Sequence, residues 1–141
     1  MKRFWIYGFI GCLMEVVWTG VAGLFSGDNA LASKTSIWMI TIYGLAVFLE
    51  PIQDNLKKKK INWFIRGVIY MLCIFTAEYI TGYLLSKINI YVWNYTDKFN
   101  INGYITLTFV PVWFVVGLLF ERIREFLDEE EYLNSGSSKV R

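Results

Sequence analysis

The stretch WFIRGVIYMLCIFTAEYITGYLLS, residues 63–86, decides the fold. It carries only two charged residues, Arg66 near its start and Glu78 beyond its middle. A transmembrane α-helix needs about 20 predominantly apolar residues to cross the hydrocarbon core of a bilayer. The length and composition of this stretch therefore predict a membrane-spanning helix, interrupted by one acid that needs an explanation.

Three further apolar runs have a similar character, at 4–25, 37–53 and 104–121. The chain is 55% hydrophobic, above the about 45–50% of soluble domains, and its mean hydropathy is +0.40. The first run follows Lys2 and Arg3, as in a signal peptide, but it exceeds the about 7–15 residues of such a peptide's apolar region. We therefore predict an all-α polytopic membrane protein with four transmembrane helices and a retained first helix.

Local signals suggest where the predicted helices begin and end. Ser36 is a candidate cap for the second helix, because a serine side chain accepts from a backbone N–H that has no partner in the first turn. Pro51 is expected to end that helix, since the residue before a proline is disfavoured in the helical region. Asn102-Gly103 is typical of a turn and is expected just before the fourth helix.

The basic residues divide unevenly between the two predicted sides of the membrane. The positive-inside rule places both termini in the cytoplasm, with the segment 87–103 as an extracytoplasmic loop. We expect a transmembrane domain over 1–134, a flexible tail over 135–141, and a parallel arrangement in any homodimer. One side holds Lys2, Arg3, Lys57, Lys58, Lys59, Lys60, Arg66, Arg122, Arg124, Lys139 and Arg141, and the other holds Lys34, Lys87 and Lys98.

Glu15 and Glu78 lie deep within two predicted spans that run in the same direction. A charged side chain at mid-bilayer costs at least about 2.5–3.5 kcal/mol on insertion scales, and no Lys or Arg lies at that depth. The two acids must stay protonated, share a cation or line a wet cavity. Thr19, on the face of Glu15, and Tyr43, in the second span, are expected beside them, so we predict a substrate, ion or proton site there.

Three charged residues are expected at one level near the cytoplasmic ends of the spans: Glu50, Arg66 and Glu121. The helical rise of about 1.5 Å per residue makes either acid a candidate partner for Arg66, in a bidentate pair where the geometry allows. We interpret the three as a structural ion-pair cluster. A cytoplasmic gate is the functional alternative.

The loop VWNYTDKFNING, residues 92–103, is too polar for a membrane span and unusually rich in aromatic rings. Trp93 and Tyr95 suit the interfacial belt of a membrane protein. The alternative is a lid, in which these rings roof the acidic cavity while Asn94 and Asn102 supply amide donors and acceptors. We include all four residues in the predicted site on the second interpretation.

The segment 76–114 resembles a known bacterial family, the putative ABC-transporter type IV or CmpB-like family, which also includes the vertebrate transmembrane protein 229 group. The family shows a Trp-Asp-Tyr-Ser core where this chain has Trp93-Asn94-Tyr95-Thr96, followed by a turn and a G-x-I-x-L helix start. The segments 11–20, 36–50 and 66–71 extend the resemblance over about residues 5–122. The resemblance implies transport, and it makes motif positions of Glu15, Glu50, Arg66, Glu78, Trp93, Tyr95 and Glu121.

The sequence contains few of the groups that common enzyme chemistry uses. It has no histidine, and Cys12 and Cys73 are not at metal-ligand spacing, so we predict no metal site and no cofactor. The net charge of +2 gives no indication of nucleic-acid binding. No G-x-x-x-x-G-K-[ST] motif occurs, so an ATPase would be a separate partner chain. These absences disfavour an enzyme, although they assign no activity.

The favoured function is a small transporter or channel-like protein of the cytoplasmic membrane, with Glu15 and Glu78 in its acidic cavity. One alternative is a membrane-embedded enzyme acting on a lipid head group, with the same two acids as general acid and base. Another is a non-catalytic scaffold or subunit of a membrane complex. It would use the Lys57–Lys60 loop to contact anionic lipid, or the acidic stretch 121–134 to bind a partner.

Overall fold

The computed structural model describes residues 1–137 and is mostly helical, which confirms the all-α prediction. Its helices are α1 (Lys2–Phe25), α2 (Trp38–Gly44), α3 (Glu50–Lys58), α4 (Trp63–Lys87) and α5 (Val110–Ser137). A 3₁₀ segment, Leu45–Leu49, joins α2 to α3, and a second one, Leu107–Phe109, precedes α5. The loop between α4 and α5 contains a small antiparallel ribbon of β1 (Asn100–Ile101) and β2 (Ile105–Thr106).

Helices α1 and α4 are long and apolar enough to cross a membrane. Only 17% of the most apolar part of each helix is buried inside the protein, whereas the core helix of a soluble protein would be mostly buried. Their outward faces carry large apolar side chains such as Phe9, Leu13 and Leu72. A surface of this kind fits lipid better than water.

The second predicted span is helical for longer than expected, but it is not one regular α-helix. Pro51 does not end it, because the helical path continues through α3 to Lys58. Pro51 lies in the first turn of α3, where a backbone N–H would have no intrahelical partner, and the 3₁₀ segment precedes it. At the start of α2 the Ser36 hydroxyl accepts from the Trp38 N–H at 3.4 Å, while the cap position itself is Ile37.

The last helix begins later than predicted, at Val110 instead of residue 104, because the β-ribbon and the 3₁₀ segment Leu107–Phe109 occupy the intervening residues. Asn102 and Gly103 have φ angles of +55° and +74°, as a type I′ hairpin turn requires. Helix α5 then continues to Ser137, well past residue 121, where the fourth predicted span ends. The predicted tail, 135–141, begins inside this helix, and residues 138–141 lie outside the described part of the chain.

Glycines bring the helices together in two close pairs. On α1, a Cβ added to Gly8 would lie 2.3 Å from the carbonyl oxygen of Ile40 on α2. On α5, a Cβ added to Gly117 would lie 2.6 Å from the Cβ of Tyr70 on α4. Close approach through small residues is typical of membrane helices. The pair α1–α2 and the pair α4–α5 form the two walls of the site described next.

The two ends of this bundle differ in chemistry. We call the end that carries Arg3, Lys57–Lys60 and Arg124 the basic end, and the end that carries the ribbon segment 88–109 the loop end. Near the basic end the two helix pairs meet in an apolar core, where the rings of Tyr7 and Phe120 pack edge to face with centroids 5.6 Å apart.

Candidate functional site

A cavity of about 540 Å³ lies between the α1–α2 wall and the α4–α5 wall. Most of its lining is apolar, and among the described residues its only acidic side chains are those of Glu15 and Glu78, with no Lys or Arg beside them. The lining residues are Met14, Glu15, Trp18, Thr19, Met39, Ile42, Tyr43, Leu45, Ala46, Phe48, Leu49, Ile52, Cys73, Ile74, Ala77, Glu78, Trp93, Tyr95, Phe109, Val112, Trp113, Val116 and Phe120.

Glu78 reaches the cavity from α4 and is buried, with 8% of its surface exposed. Each of its carboxyl oxygens has a donor from a different element. The Tyr95 hydroxyl donates to Oε1 at 2.7 Å, and the Trp113 indole N–H donates to Oε2 at 3.0 Å. The loop and α5 therefore both orient this carboxyl group.

Glu15 reaches the same cavity from α1 and is only partly buried. The Tyr43 hydroxyl donates to its Oε2 at 2.7 Å. Among the side chains of residues 1–133 and the backbone of residues 1–137, no hydrogen bond to its Oε1 is found, which leaves that oxygen available to a ligand. Thr19 lines the cavity too, but its hydroxyl donates to the backbone carbonyl of Glu15 at 2.9 Å rather than to the carboxyl group.

The loop residues of the predicted site separate into two groups. Trp93 and Tyr95 line the cavity that holds the acids, whereas Asn94 and Asn102 line a second space of about 90 Å³ on the other side of Trp93. The Asn102 amide donates to the Tyr79 hydroxyl at 3.0 Å. The turn at Asn102 thus directs its amide toward α4, and the structure places neither asparagine beside the two glutamates.

Three aromatic residues outside the predicted site surround the acids: Trp18, Phe109 and Trp113. Of these, the sequence already indicates Trp113 for the cavity, because it shares a helical face with Gly117 and Glu121. The ring of Phe109 contacts Trp18 at 5.9 Å, Trp113 at 6.0 Å and Tyr95 at 5.5 Å between centroids. A signal was available for all three, because a helix places residues three or four apart on one face. Phe109 and Trp113 are four residues apart, and Trp18 comes three residues after Glu15.

Asp97 stabilises the loop that carries Trp93 and Tyr95 at the loop end of the cavity. Its Oδ2 accepts from the hydroxyl of Thr106 at 2.6 Å, from the hydroxyl of Thr108 at 3.0 Å and from the Phe99 N–H at 3.2 Å. The hydrogen bond from Thr106 holds the pKa of the Asp97 carboxyl below its ordinary value, with Thr108 and Phe99 adding to the effect. The loop is therefore tied to the residues that lead into α5.

At the basic end, Arg66 pairs with Glu121 and not with Glu50. Its Nε donates to Oε2 at 3.0 Å and its Nη2 donates to Oε1 at 2.9 Å, so the pair is bidentate. Glu121 is only 4% exposed and also accepts from the Tyr70 hydroxyl. Lys57 lies 3.7 Å from the same carboxylate.

Glu50 belongs to a second network that joins α1, α3 and α5. Its carboxylate accepts from the Tyr7 hydroxyl at 2.7 Å and pairs with Arg3 at 3.3 Å. Arg124 of α5 donates to the Glu50 backbone carbonyl at 3.0 Å. The same Arg3 pairs with Glu131 at 2.7 Å, and it holds the pKa of that carboxyl below its usual value. Charged contacts therefore join α1 and α3 to α5 at the basic end.

Two comparisons with known proteins bear on these features. A family model described as "Putative ABC-transporter type IV" matches residues 3–137, which confirms the resemblance found in the sequence. The match covers all five helices, both glutamates of the cavity and the loop above them. No solved structure matches the chain.

Proposed function

Because this chain belongs to the putative ABC-transporter type IV family, we propose that it is a transporter-like membrane protein whose substrate occupies the cavity between Glu15 and Glu78. The observation that carries the proposal is the presence of two carboxyl groups in one apolar cavity, where the described part of the chain places no basic side chain. A purely structural acid in lipid is usually paired with a base, as Glu121 is with Arg66. An unpaired acid facing open space is typical of a substrate or ion pathway.

In this proposal the protein crosses the cytoplasmic membrane four times, with both termini in the cytoplasm. Helices α1 and α4 are two of the spans. The α2–α3 stretch and the apolar first half of α5 are the others, and both expose large apolar side chains, among them Phe48 and Val115. The basic end would face the cytoplasm, as the positive-inside rule requires.

This orientation predicts which introduced cysteines react from outside the cell. In a background with Cys12→Ala and Cys73→Ala, we expect Lys98→Cys to react with an impermeant maleimide in intact cells. Lys58→Cys should react only after the membrane is permeabilised. Both positions are exposed in the structure, so accessibility within the protein is matched. Labelling of position 58 in intact cells would reverse the orientation.

The transport proposal depends on the charge that the two glutamates can carry. We expect Glu15→Gln and Glu78→Gln to fold and to lose flux, because glutamine keeps the volume and hydrogen bonding of the acid but can neither release a proton nor balance a cation. The measurement is cation-driven proton flux in proteoliposomes with an entrapped pH dye. Glu130→Gln, the same change on the exposed face of α5, is the matched control and should keep wild-type flux.

Flux at the wild-type level in both cavity variants would refute the site and favour the scaffold alternative. The enzyme alternative predicts instead that both variants lose lipid turnover without any loss of ion flux. If the family name describes the mechanism, a separate ATPase chain would bind at the basic end. In a homodimer, a parallel arrangement of the two copies would give both cavities the same orientation.

A further inference from the structure

We propose that the ligand of the cavity is a lipophilic organic cation, held with its charge beside Glu15 and Glu78 and its apolar body along the remaining wall. This assignment rests on the proposed function, because it takes the same cavity as the binding site. It adds the chemical class of the ligand, which follows from the charge, the rings and the shape of the lining.

The charge of the lining selects a cation. The cavity contains two carboxyl groups and no Lys or Arg, so an anion would enter without a counter-charge, at a large desolvation cost. Glu15 lines this space, and its Oε1, for which no hydrogen bond is found among the side chains of residues 1–133, can accept from an ammonium group or lie against a delocalised charge. Glu78 is held in place by Tyr95 and Trp113, so its position is fixed before a ligand arrives.

An inorganic divalent ion fits the lining poorly. Calcium and magnesium take about six or more oxygen ligands, and apart from the two carboxyl groups the lining has few oxygens to offer. Among the described residues, no group of three or more His, Cys, Asp or Glu side chains is placed to hold a metal ion. A cation that brings its own apolar substituents does not need such a shell.

The aromatic residues near the acids favour an organic cation for a second reason. Four rings form a connected group at the loop end of the cavity: those of Trp18, Tyr95, Phe109 and Trp113. Aromatic faces attract cations, and the attraction is largest where the cation has lost its water. The indole N–H of Trp113 is directed at Glu78, which fixes the orientation of that ring.

The rest of the cavity is suited to an apolar body. From Trp113 the lining follows α5 to Phe120, about 10 Å further at the helical rise, with Val116 between them. No charged side chain lines this part, and Met14 and Met39 can adjust to ligands of different shape. The volume of about 540 Å³ falls within the range of about 300–1,000 Å³ that small-molecule sites occupy.

The test compares two ions of nearly equal shape and opposite charge on the purified wild-type protein. We expect tetraphenylphosphonium to bind saturably in equilibrium dialysis, and tetraphenylborate to show only the partition into detergent that a protein-free micelle also shows. Equal saturable binding of both ions, or of neither, would overturn the proposal. This comparison needs no variant and therefore does not depend on how any substitution folds.

Variants then locate the binding. We expect Glu15→Gln and Glu78→Gln each to weaken tetraphenylphosphonium binding roughly tenfold or more, as the loss of one charged interaction would. Glu130→Gln should bind as the wild type does. Ala77→Phe, which fills part of the cavity without removing an acid, should also weaken binding. Unchanged affinity in all three cavity variants would overturn the proposal.

This outcome is separable from the outcome of the flux experiment, since binding is measured in detergent without a gradient. Flux of a small inorganic cation that requires Glu15 and Glu78, without tetraphenylphosphonium binding, would refute the ligand class and leave the transport proposal standing. Saturable binding that requires both acids, with no flux of any cation, would support the ligand class and refute transport.

Discussion

Replacing Arg66 with alanine is expected to destabilise the bundle by about 3–5 kcal/mol, the usual cost of removing one partner from a buried ion pair. Glu121 is only 4% exposed, and Arg66 is the partner that binds both of its carboxylate oxygens. Without it, the carboxylate keeps the Tyr70 hydroxyl and the more distant Lys57 amine. The measurement is the free energy of unfolding in detergent, with the thermal midpoint as a second readout.

Arg122→Ala is the matched control, because it removes an arginine from the same helix region as Glu121. Arg122 is 79% exposed, and its pair with Glu125 is a surface contact three residues apart. Such pairs contribute about 0–1 kcal/mol. If the effects of Arg66→Ala and Arg122→Ala were equally small, the Arg66–Glu121 pair would have to be well solvated in the membrane environment.

Gly8→Ala is the second substitution for which we expect a large effect, a destabilisation of about 1–3 kcal/mol or more, as overpacking usually costs. The new Cβ would lie 2.3 Å from the carbonyl oxygen of Ile40. That oxygen belongs to the backbone of α2, so no side-chain rotation can relieve the contact and the two helices must separate. In a helix interior, alanine is otherwise preferred to glycine by about 0.5–1 kcal/mol. A loss of stability in Gly8→Ala, instead of a gain, would therefore indicate the close contact between α1 and α2.

The separation of α1 and α2 in the Gly8→Ala protein should also change the geometry of the cavity. Glu15 lies on α1 seven residues after Gly8, and its partner Tyr43 lies on α2. We therefore expect Gly8→Ala to weaken both the fold and tetraphenylphosphonium binding. Gly23→Ala is the control on the same helix, because its Cβ would meet no atom closer than 3.7 Å. A Gly8→Ala protein as stable as Gly23→Ala would show that α1 and α2 do not pack as described.

The sequence by itself determined the fold class and most of the helical content. Apolar runs longer than about 20 residues predicted α1 and α4 to within a few residues, and the Asn102-Gly103 pair predicted the turn. The sequence predicted helix boundaries less well where two local signals competed. Pro51 was expected to end a helix, yet proline is also compatible with a first helical turn, and only the geometry of the preceding 3₁₀ segment decided between the two.

The family, too, was identifiable from the sequence, because the motifs around Trp93, Tyr95 and the turn at Gly103 occur in a fixed order along the chain. The match over residues 3–137 confirms that interpretation. What the motifs did not convey was which of their side chains face one another. Asn94 and Asn102 belong to the same short loop as Tyr95, yet both line the second, smaller space and not the cavity that Tyr95 enters.

Only the tertiary structure decided the pairing of the charges. Counting residues along each helix gives the depth of a side chain, and by depth both Glu50 and Glu121 were eligible partners for Arg66. Depth carries no information on which helix is the neighbour or which face it presents. Helix α5 packs on α4, so Arg66 meets Glu121, while Glu50 meets Arg3 and Tyr7 of α1. For the same reason the aromatic group around Glu78 emerges only when Trp18, Phe109 and Trp113 are brought together from two helices and the segment before the second.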